Sequence, residues 1–276
     1  MRKLFLQIIA FILLLNTFAF GYEGKYLITT ALIGKNMNYT EYGRSDEILD
    51  TEKSDLYEMG GMELRLAYEK MQKRENGYEV GINFWAIRGK TEYVGSLILS
   101  DAEYGSYVST TKNLMYDASF DYIYKYIYAD ALTVQVGAGL GQRFWRRELS
   151  PAQIELYSWY SLRPQFGLSY KQEKVKIAFV FEYQYGFDAK MNILQNSENG
   201  EKSLDLGFAN IVKISLPVAY SLNEYFEVFA SYAYERQDIG ASNSVPYIIE
   251  GNVYEIYEPK SSAINHYIKL GTTLKF

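Results

Sequence analysis

The stretch that decides the fold is Ile264–Phe276, which reads INHYIKLGTTLKF and ends on an aromatic residue. Counted back from Phe276, every second side chain is largely apolar, and the intervening ones, such as Lys275 and Lys269, are largely polar. The apolar set is Phe276, Leu274, Thr272, Leu270, Ile268, His266 and Ile264. Strict alternation with a period of two indicates a β-strand with one apolar and one polar face.

The same alternation recurs in about ten segments along the chain. In the fourth, Tyr116, Phe120 and further tyrosines alternate with Asp117, Asp121 and Lys125. The segments are Lys25–Lys35, Gly61–Lys70, Tyr78–Arg88, Tyr116–Tyr126, Leu132–Trp145, Tyr157–Lys171, Lys174–Asp188, Phe208–Tyr220, Tyr225–Gln237 and Ile264–Phe276. They predict an all-β fold, a transmembrane antiparallel up-and-down β-barrel of about ten strands.

The connections alternate in length, which supports a membrane barrel. The short ones are Met71–Gly77, Tyr128–Ala131, Gln172–Glu173 and Ser221–Glu224. The long ones are Asn36–Leu56, Thr91–Asn113, Arg146–Glu155, Met191–Gly207 and Asp238–Ala263. Short periplasmic turns opposite five long outer loops are typical of outer-membrane barrels. An even number of strands also places both termini on the periplasmic side.

Composition fits this fold and excludes several function classes. Aromatic residues make up 17% of the chain, which suits a barrel with aromatic girdles at two membrane interfaces. The net charge of −5 gives no basic footprint for nucleic acid. No cysteine is present, and His266 is the single histidine, which excludes disulfides, thiol chemistry and histidine metal clusters within one chain. We therefore expect no cofactor and no metal.

The N-terminal residues have the pattern of a secretory signal. Arg2 and Lys3 precede the apolar run Leu4–Leu15, and Ala19-Phe20-Gly21 is a small-x-small cleavage site. The predicted division is a signal peptide at residues 1–21 and a barrel domain at residues 22–276. A soluble β-sandwich or lipocalin-like barrel would show similar alternation. We expect the protein in the cell outer membrane, reached through the periplasm, because of the export signal, Phe276 and the unequal connections. We also expect a monomer whose terminal strand binds the barrel-assembly machinery.

If the apolar faces meet lipid, the polar faces line the lumen. They carry charges of both signs, which favours a filled, ion-paired interior over the open pore of wider barrels. The predicted lumen charge network is Glu63, Arg65, Asp117, Asp121, Lys125, Arg143, Arg163, Lys176, Glu182, Lys213, Glu227 and Lys269.

Two groups of charges are expected near the outer rim. The acids of the first long connection are Glu41, Asp46, Glu47, Asp50, Glu52 and Asp55, against Arg44 and Lys53. Those of the last are Asp238, Glu250, Glu255 and Glu258, with Lys260. They form either a solvated loop surface or a rim that attracts cationic peptides or divalent ions. The basic residues Arg88, Lys90, Arg146 and Arg147 lie where strands reach this rim, and they either contact lipopolysaccharide phosphates or are ordinary membrane-edge residues.

Ten strands, five outer loops and this length resemble the omptin family of outer-membrane proteases. Local similarities are Gly81-Ile-Asn-Phe-Trp85, the glycine-rich segment Leu132–Trp145, and the ending Tyr267–Phe276 with its Leu274-Lys275. The glycines Gly137, Gly139 and Gly141 are interpreted either as small residues facing a crowded lumen or as the site of a bend in the strand.

The omptin resemblance implies an acidic pair in the second outer loop and an Asp-x-His in the fourth. The second loop offers Asp101 and Glu103, and Asp188 lies just before the fourth loop, which contains no histidine. Strand parity places His266 with the lipid-facing set. We therefore expect a non-enzymatic barrel with a structural, surface-contact or adhesion role. The alternatives are an omptin-like surface endopeptidase for cationic peptides and a small channel.

Overall fold

The computed structural model describes residues 24–71, 76–95, 104–151, 153–194, 200–249 and 252–276. The signal peptide predicted at residues 1–21 lies outside these ranges. Among the described residues, no helix is long and apolar enough to cross a membrane. The strands are β1 (Gly24–Tyr42), β2 (Ile48–Met71), β3 (Asn76–Gly95), β4 (Tyr107–Ala129), β5 (Leu132–Ser150), β6 (Gln153–Gln172), β7 (Val175–Leu194), β8 (Lys202–Asp205), β9 (Ala209–Ser221), β10 (Phe226–Ile239), β11 (Val245–Ile249), β12 (Asn252–Ile256) and β13 (Lys260–Lys275).

Ten of these strands close into an antiparallel barrel. The order around it is β6-β5-β4-β3-β2-β1-β13-β10-β9-β7, and β7 pairs with β6 to complete the ring. The predicted all-β up-and-down barrel is therefore confirmed. β8 pairs with the last part of β7 at the end of the barrel that carries the long loops, here called the loop end. The opposite end is the turn end. β11 and β12 pair only with each other.

The chain terminus closes the barrel at the turn end. The Phe276 amide donates a hydrogen bond of 3.0 Å to the Tyr26 carbonyl oxygen, and the Tyr26 amide donates one of 3.1 Å to the Phe276 oxygen. From there β1 and β13 pair continuously from Leu27 and Lys275 to Tyr42 and Lys260. Because this pairing closes the ring, each of the ten barrel strands has two neighbours.

Deleting Phe276 is expected to reduce the assembled fraction several-fold, because the seam loses its terminal pair of hydrogen bonds and the aromatic end of the last strand. Heat-modifiable gel mobility of membrane fractions measures assembly. Phe276→Tyr keeps both the backbone bonds and the ring, and serves as the matched control. Equal assembly of the deletion and the parent chain would show that this end of β13 is dispensable.

The outward face forms an apolar belt between two rows of aromatic rings. At its centre, the exposed side chains include Leu32, Met62, Leu140 and Leu270. On the turn side a chain of tyrosines crosses four strands, with ring centroids 5.4 to 6.3 Å apart: Tyr26, Tyr68, Tyr78 and Tyr122. On the loop side lie the pairs Tyr116–Phe144, Tyr160–Phe187 and Tyr232–His266. Two girdles around an apolar belt are the surface of a barrel that spans a bilayer.

The strands run further toward the loop end than the alternation predicted. β1 continues to Tyr42, and β2 already begins at Ile48. Most of the predicted loop Asn36–Leu56 is therefore a β-hairpin. β5 and β6 likewise reach Ser150 and Gln153. The prediction failed here because these extensions lie beyond the belt, where neither face needs the apolar residues that reveal a membrane strand.

A bulge in β7 reverses its alternation. Asp188 has a φ of 49°, and the register with β6 shifts between Ser158 and Tyr160. Before the bulge odd-numbered side chains such as Tyr185 face outward; after it Ala189, Met191 and Ile193 are buried inside. One extra residue in a strand sends all later side chains to the other face.

Candidate functional site

Ion pairs fill the interior at the turn end. Arg65 binds Asp121 with two hydrogen bonds of 2.8 and 2.6 Å and reaches Glu79 at 2.6 Å. Lys125 bridges Glu79 and Glu69. Lys269 pairs with Glu63, and Lys275 pairs with Glu227 at 2.9 Å. Two strands or more contribute to each group, so the ion pairs connect the barrel wall across its lumen.

A cavity of about 230 Å³ lies beside these pairs. Lys176, Glu182 and Lys213, the remaining polar residues predicted for the lower lumen, line its wall. Glu182 lies directly across from Lys213 in the β7–β9 pair and accepts a hydrogen bond of 2.6 Å from Gln184. The cavity is therefore small, polar and bordered by charges of both signs.

Asp117 forms the middle layer. Its carboxylate is fully buried and accepts two hydrogen bonds of 2.8 Å from Arg163 and one of 3.0 Å from Arg143. Arg143 continues across the lumen to Glu235, at 3.2 and 3.3 Å. All twelve residues of the predicted lumen network face inward. This layer joins three of them, Asp117, Arg143 and Arg163, to Glu235 through buried guanidinium–carboxylate bonds, the strong class of protein hydrogen bond.

The glycines of β5 leave room for this layer. A Cβ on Gly141 would lie 2.3 Å from the Arg163 guanidinium, and one on Gly139 would lie 2.7 Å from the Phe120 carbonyl oxygen. The spacing of the three glycines therefore reflects close packing inside the barrel, as their alternation with apolar residues indicates.

An aromatic and methionine core occupies the loop half of the interior. Trp145, Trp159 and Tyr157 are each 1% exposed, and Trp145 stacks on Tyr157 with centroids 5.1 Å apart. Met37, Met59, Met115, Met191 and Leu204 pack into the same core. Sequence alternation missed this core because an inward-facing apolar residue cannot be distinguished by period from an outward-facing one.

Arg147 lies in this core and holds the densest cluster of charges in the described residues. Its guanidinium, 1% exposed, donates to Glu41 at 2.8 Å, Glu52 at 2.8 Å and Glu155 at 2.9 Å. It also donates to the hydroxyl oxygens of Tyr39 at 3.3 Å and Tyr157 at 3.0 Å. Strands β1, β2, β5 and β6 thus converge on one side chain.

Two further carboxyl groups complete what we call the Arg147 cluster: Arg147, Glu41, Asp50, Glu52, Glu155 and Glu258. Asp50 lies directly across from Glu41 in the β1–β2 pair and is 7% exposed. Glu258, 5% exposed, accepts a short hydrogen bond from the Tyr157 hydroxyl. Among the described residues, five carboxyl groups therefore share one guanidinium.

The Arg147 cluster lies beyond the apolar belt, at the level where outward-facing charges begin. Lys112 and Glu148 form an exposed ion pair of 2.7 Å on the neighbouring outer surface. Burial and the Glu41 charge raise the pKa of Asp50 to about 9. Burial, with the charges of Glu41 and Glu155, raises the pKa of Glu258 well above its ordinary value. The chemistry that this arrangement supports is proton exchange at buried carboxyl groups.

The structure corrects the prediction for Arg147 and for four of the loop acids. Arg147 cannot meet lipopolysaccharide, because its parity on β5 points it into the core. Glu41, Asp50, Glu52 and Glu258 are buried around it and do not form a solvated rim. Arg88, Lys90 and Arg146 do face outward on β3 and β5, where Arg88 and Arg146 flank Leu114 of β4. Their contact with lipopolysaccharide stays a prediction.

The residues named for peptidase chemistry are not brought together. Asp101 and Glu103 lie outside the described residues. Asp188 is on the outer surface, 3.1 Å from Lys190, because the bulge turns it away from the lumen. His266 faces outward, with Nδ1 2.7 Å from the Tyr232 hydroxyl. Nowhere in the described ranges are three or more His, Asp or Glu side chains placed to hold a metal ion.

No family model and no curated protein sequence matches this chain. Solved structures of outer-membrane proteins do match it. The outer membrane protease OmpT from Escherichia coli matches with a TM-score of 0.58 at 12% identity, covering 92% of this chain and 97% of that one. The translocator domain of the autotransporter NalP from Neisseria meningitidis matches with a TM-score of 0.43 at 9% identity, covering 99% and 96%. In architecture, this chain is an omptin-like ten-strand barrel.

Proposed function

We propose that the protein is a non-enzymatic outer-membrane barrel that displays its outer loops for surface contact or adhesion. The observation that carries this proposal is the closed interior. From the turn end upward, the lumen holds ion-paired side chains, the buried Asp117 layer, and the aromatic core around Arg147. A barrel with a filled interior is a rigid support. The side chains that can contact partners are therefore those at its loop end.

The outward surface and the fold support the location. The apolar belt and its two aromatic girdles match a bilayer, and the omptin-like fold belongs to outer-membrane proteins. In that location the turn end faces the periplasm and the loop end faces the exterior. The signal at residues 1–21 would provide export, and the seam at Phe276 would be the end presented to the barrel-assembly machinery.

The chain between β10 and β13 contains a two-stranded ribbon, β11 and β12, called the outer ribbon. Tyr247 pairs with Tyr254, and Ile248 pairs with Val253. Val253 is 70% exposed, and Ile248 and Tyr254 are also exposed. A cluster of exposed apolar side chains is typical of contact surfaces.

Replacing Val253 and Tyr254 with serine is expected to reduce adhesion several-fold, because the outer ribbon loses its exposed apolar area while the barrel is untouched. Adherence of cells that express the protein at equal surface density, to epithelial cells and to glass, measures the effect. Tyr57→Ser is the matched control, since Tyr57 is 84% exposed on β2, away from the ribbon.

Adhesion that is equal for all three chains would contradict the contact role. The same purified protein distinguishes the alternatives. Cleavage of a fluorogenic basic peptide in lipopolysaccharide micelles, abolished by Asp101→Ala, would support a peptidase. Stepwise conductance in planar bilayers would support a small channel.

A further inference from the structure

The base of the outer ribbon is closed by a pair of hydrogen bonds. The Ser242 amide donates to the Glu258 carbonyl oxygen at 2.9 Å, and the Glu258 amide donates to the Ser242 hydroxyl oxygen at 2.8 Å. Next to them, the Asn243 side chain accepts a hydrogen bond of 2.8 Å from the Asp205 amide. The two ends of the ribbon therefore move together, and the fifth loop is joined to the fourth.

The Glu258 side chain ties this base to the barrel interior. Its carboxyl group contacts the Tyr157 hydroxyl on β6, and the Tyr157 hydroxyl also contacts Arg147 and Glu155. Glu258 is thus the member of the Arg147 cluster that comes from the loop that carries the ribbon, whereas the other five come from barrel strands. Glu258 is the titratable contact at this base, which is also held by the packing of Val245 and Ile256 against the core and by the bridge between Leu206 and Ser242. Separation of Glu258 from Tyr157 would therefore loosen the attachment of the ribbon to the barrel mouth.

Titratable groups face this contact from each strand packed around it. On β1 they are Tyr39 and Glu41, and on β2 they are Asp50 and Glu52. On β3 Tyr93 lies beside Asp50, on β5 the group is Arg147, and on β6 they are Glu155 and Tyr157. The single guanidinium cannot neutralise five ionised carboxyl groups, and ionised carboxyl groups buried without a partner are strongly unfavourable.

Burial raises the pKa of three of these carboxyl groups, Asp50, Glu155 and Glu258, which favours their protonated forms in the closed structure. The Oδ1 atom of Asp50 is buried with no hydrogen-bond partner, which a neutral carboxyl group tolerates better than a carboxylate. Burial raises the pKa of both Asp50 and Glu258, as described above. A carboxyl group whose pKa is raised in the closed state stabilises that state at low pH. The stabilisation declines as the pH rises from about 4, the ordinary carboxyl pKa, toward about 9.

We propose that Glu258 is a proton-dependent latch, which fastens the outer ribbon to the barrel mouth when protonated and releases the ribbon base as the pH rises. The inference goes beyond the contact role and does not require it. Opening would ionise Glu258 and expose Asp50 to water. For each proton lost on opening, the opening equilibrium constant rises by up to about tenfold per pH unit. Loss of two protons therefore raises this constant by up to about a hundredfold per pH unit.

Paired spin labels test the latch directly. The chain has no cysteine, so cysteines placed at Val253 on the ribbon and at Glu92 on the outer part of β3 are the only labelling sites. We expect a narrow distance distribution between the labels in nanodiscs at pH 5 and a broad one at pH 9.5. Glu258→Gln, which cannot ionise at this position, and Asp50→Asn are each expected to show about half of the pH slope, and the double variant is expected to stay narrow at both values.

Glu255→Gln is the matched control, because Glu255 is exposed on β12 and should leave the pH response of the parent chain unchanged. Heat-modifiable gel mobility identifies any variant that fails to fold, and Asp50→Asn then gives an independent test. Three results would overturn the latch: a parent distribution unchanged from pH 5 to 9.5, a Glu258→Gln distribution that broadens like the parent, or narrowing set by added calcium and not by pH.

Discussion

Replacing Arg147 with methionine is expected to lower the free energy of unfolding by about 3–5 kcal/mol at pH 8, because removal of one partner leaves buried carboxylates uncompensated. Methionine keeps most of the volume of the side chain, so packing against Tyr39 and Trp145 is largely preserved. Urea unfolding in lipid vesicles, followed by fluorescence of the three buried tryptophans, measures the change.

The neighbouring residue provides the control for Arg147→Met. Arg146 is on the same strand, but its side chain faces outward, is 39% exposed and pairs only with Glu148. Arg146→Met should therefore cost less than about 1 kcal/mol. The cost of Arg147→Met should also shrink between pH 8 and pH 5, because burial raises the pKa of Glu155, and its protonation removes a charge that the guanidinium neutralises. Equal losses for the two variants, or a cost independent of pH, would contradict this account of the Arg147 cluster.

The second large effect is expected at Asp117. Asp117→Asn keeps the shape of the side chain but removes the charge that bridges Arg143 and Arg163, both of which are buried. Loss of one partner from a buried ion network costs about 3–5 kcal/mol. The same urea titration measures the loss, which we expect as a lower midpoint with an unchanged slope.

Asp188→Asn is the matched change for Asp117→Asn. Asp188 also pairs with a basic residue, Lys190, but on the exposed outer surface, where solvent screens the pair. The midpoint should therefore stay close to that of the parent. If Asp117→Asn were as mild as Asp188→Asn, the middle layer of the lumen would not act as a structural bridge.

The barrel could be predicted from sequence because a membrane-spanning strand shows its two environments directly. Lipid requires apolar side chains on one face, and the lumen accepts charges on the other, so parity placed Lys269 and Asp117 inward and His266 outward. Closure of the ring followed from an even number of strands and a terminal strand that ends on Phe276.

The Arg147 cluster could not be predicted in the same way. Beyond the apolar belt, neither face of a strand has to be apolar. The sequence around Glu41, Asp50 and Glu52 therefore predicts a charged loop, although these residues lie on paired strands. Glu258 is more than one hundred residues from Arg147 in sequence, and only the fold brings them together. The adjacent pair Arg146-Arg147 was a signal available in the sequence, because alternation sends one of two neighbours inward.

The bulge at Asp188 has a consequence for how the chain tolerates change. Below the bulge, inward-facing and outward-facing side chains of β7 alternate in one order, and above the bulge they alternate in the opposite order. Odd-numbered side chains therefore face outward in the part of the strand within the bilayer and inward in the part above it. A residue added or removed beyond the bulge would change which side chains face inward in the loop half of β7, and the lipid-facing alternation below it would stay the same.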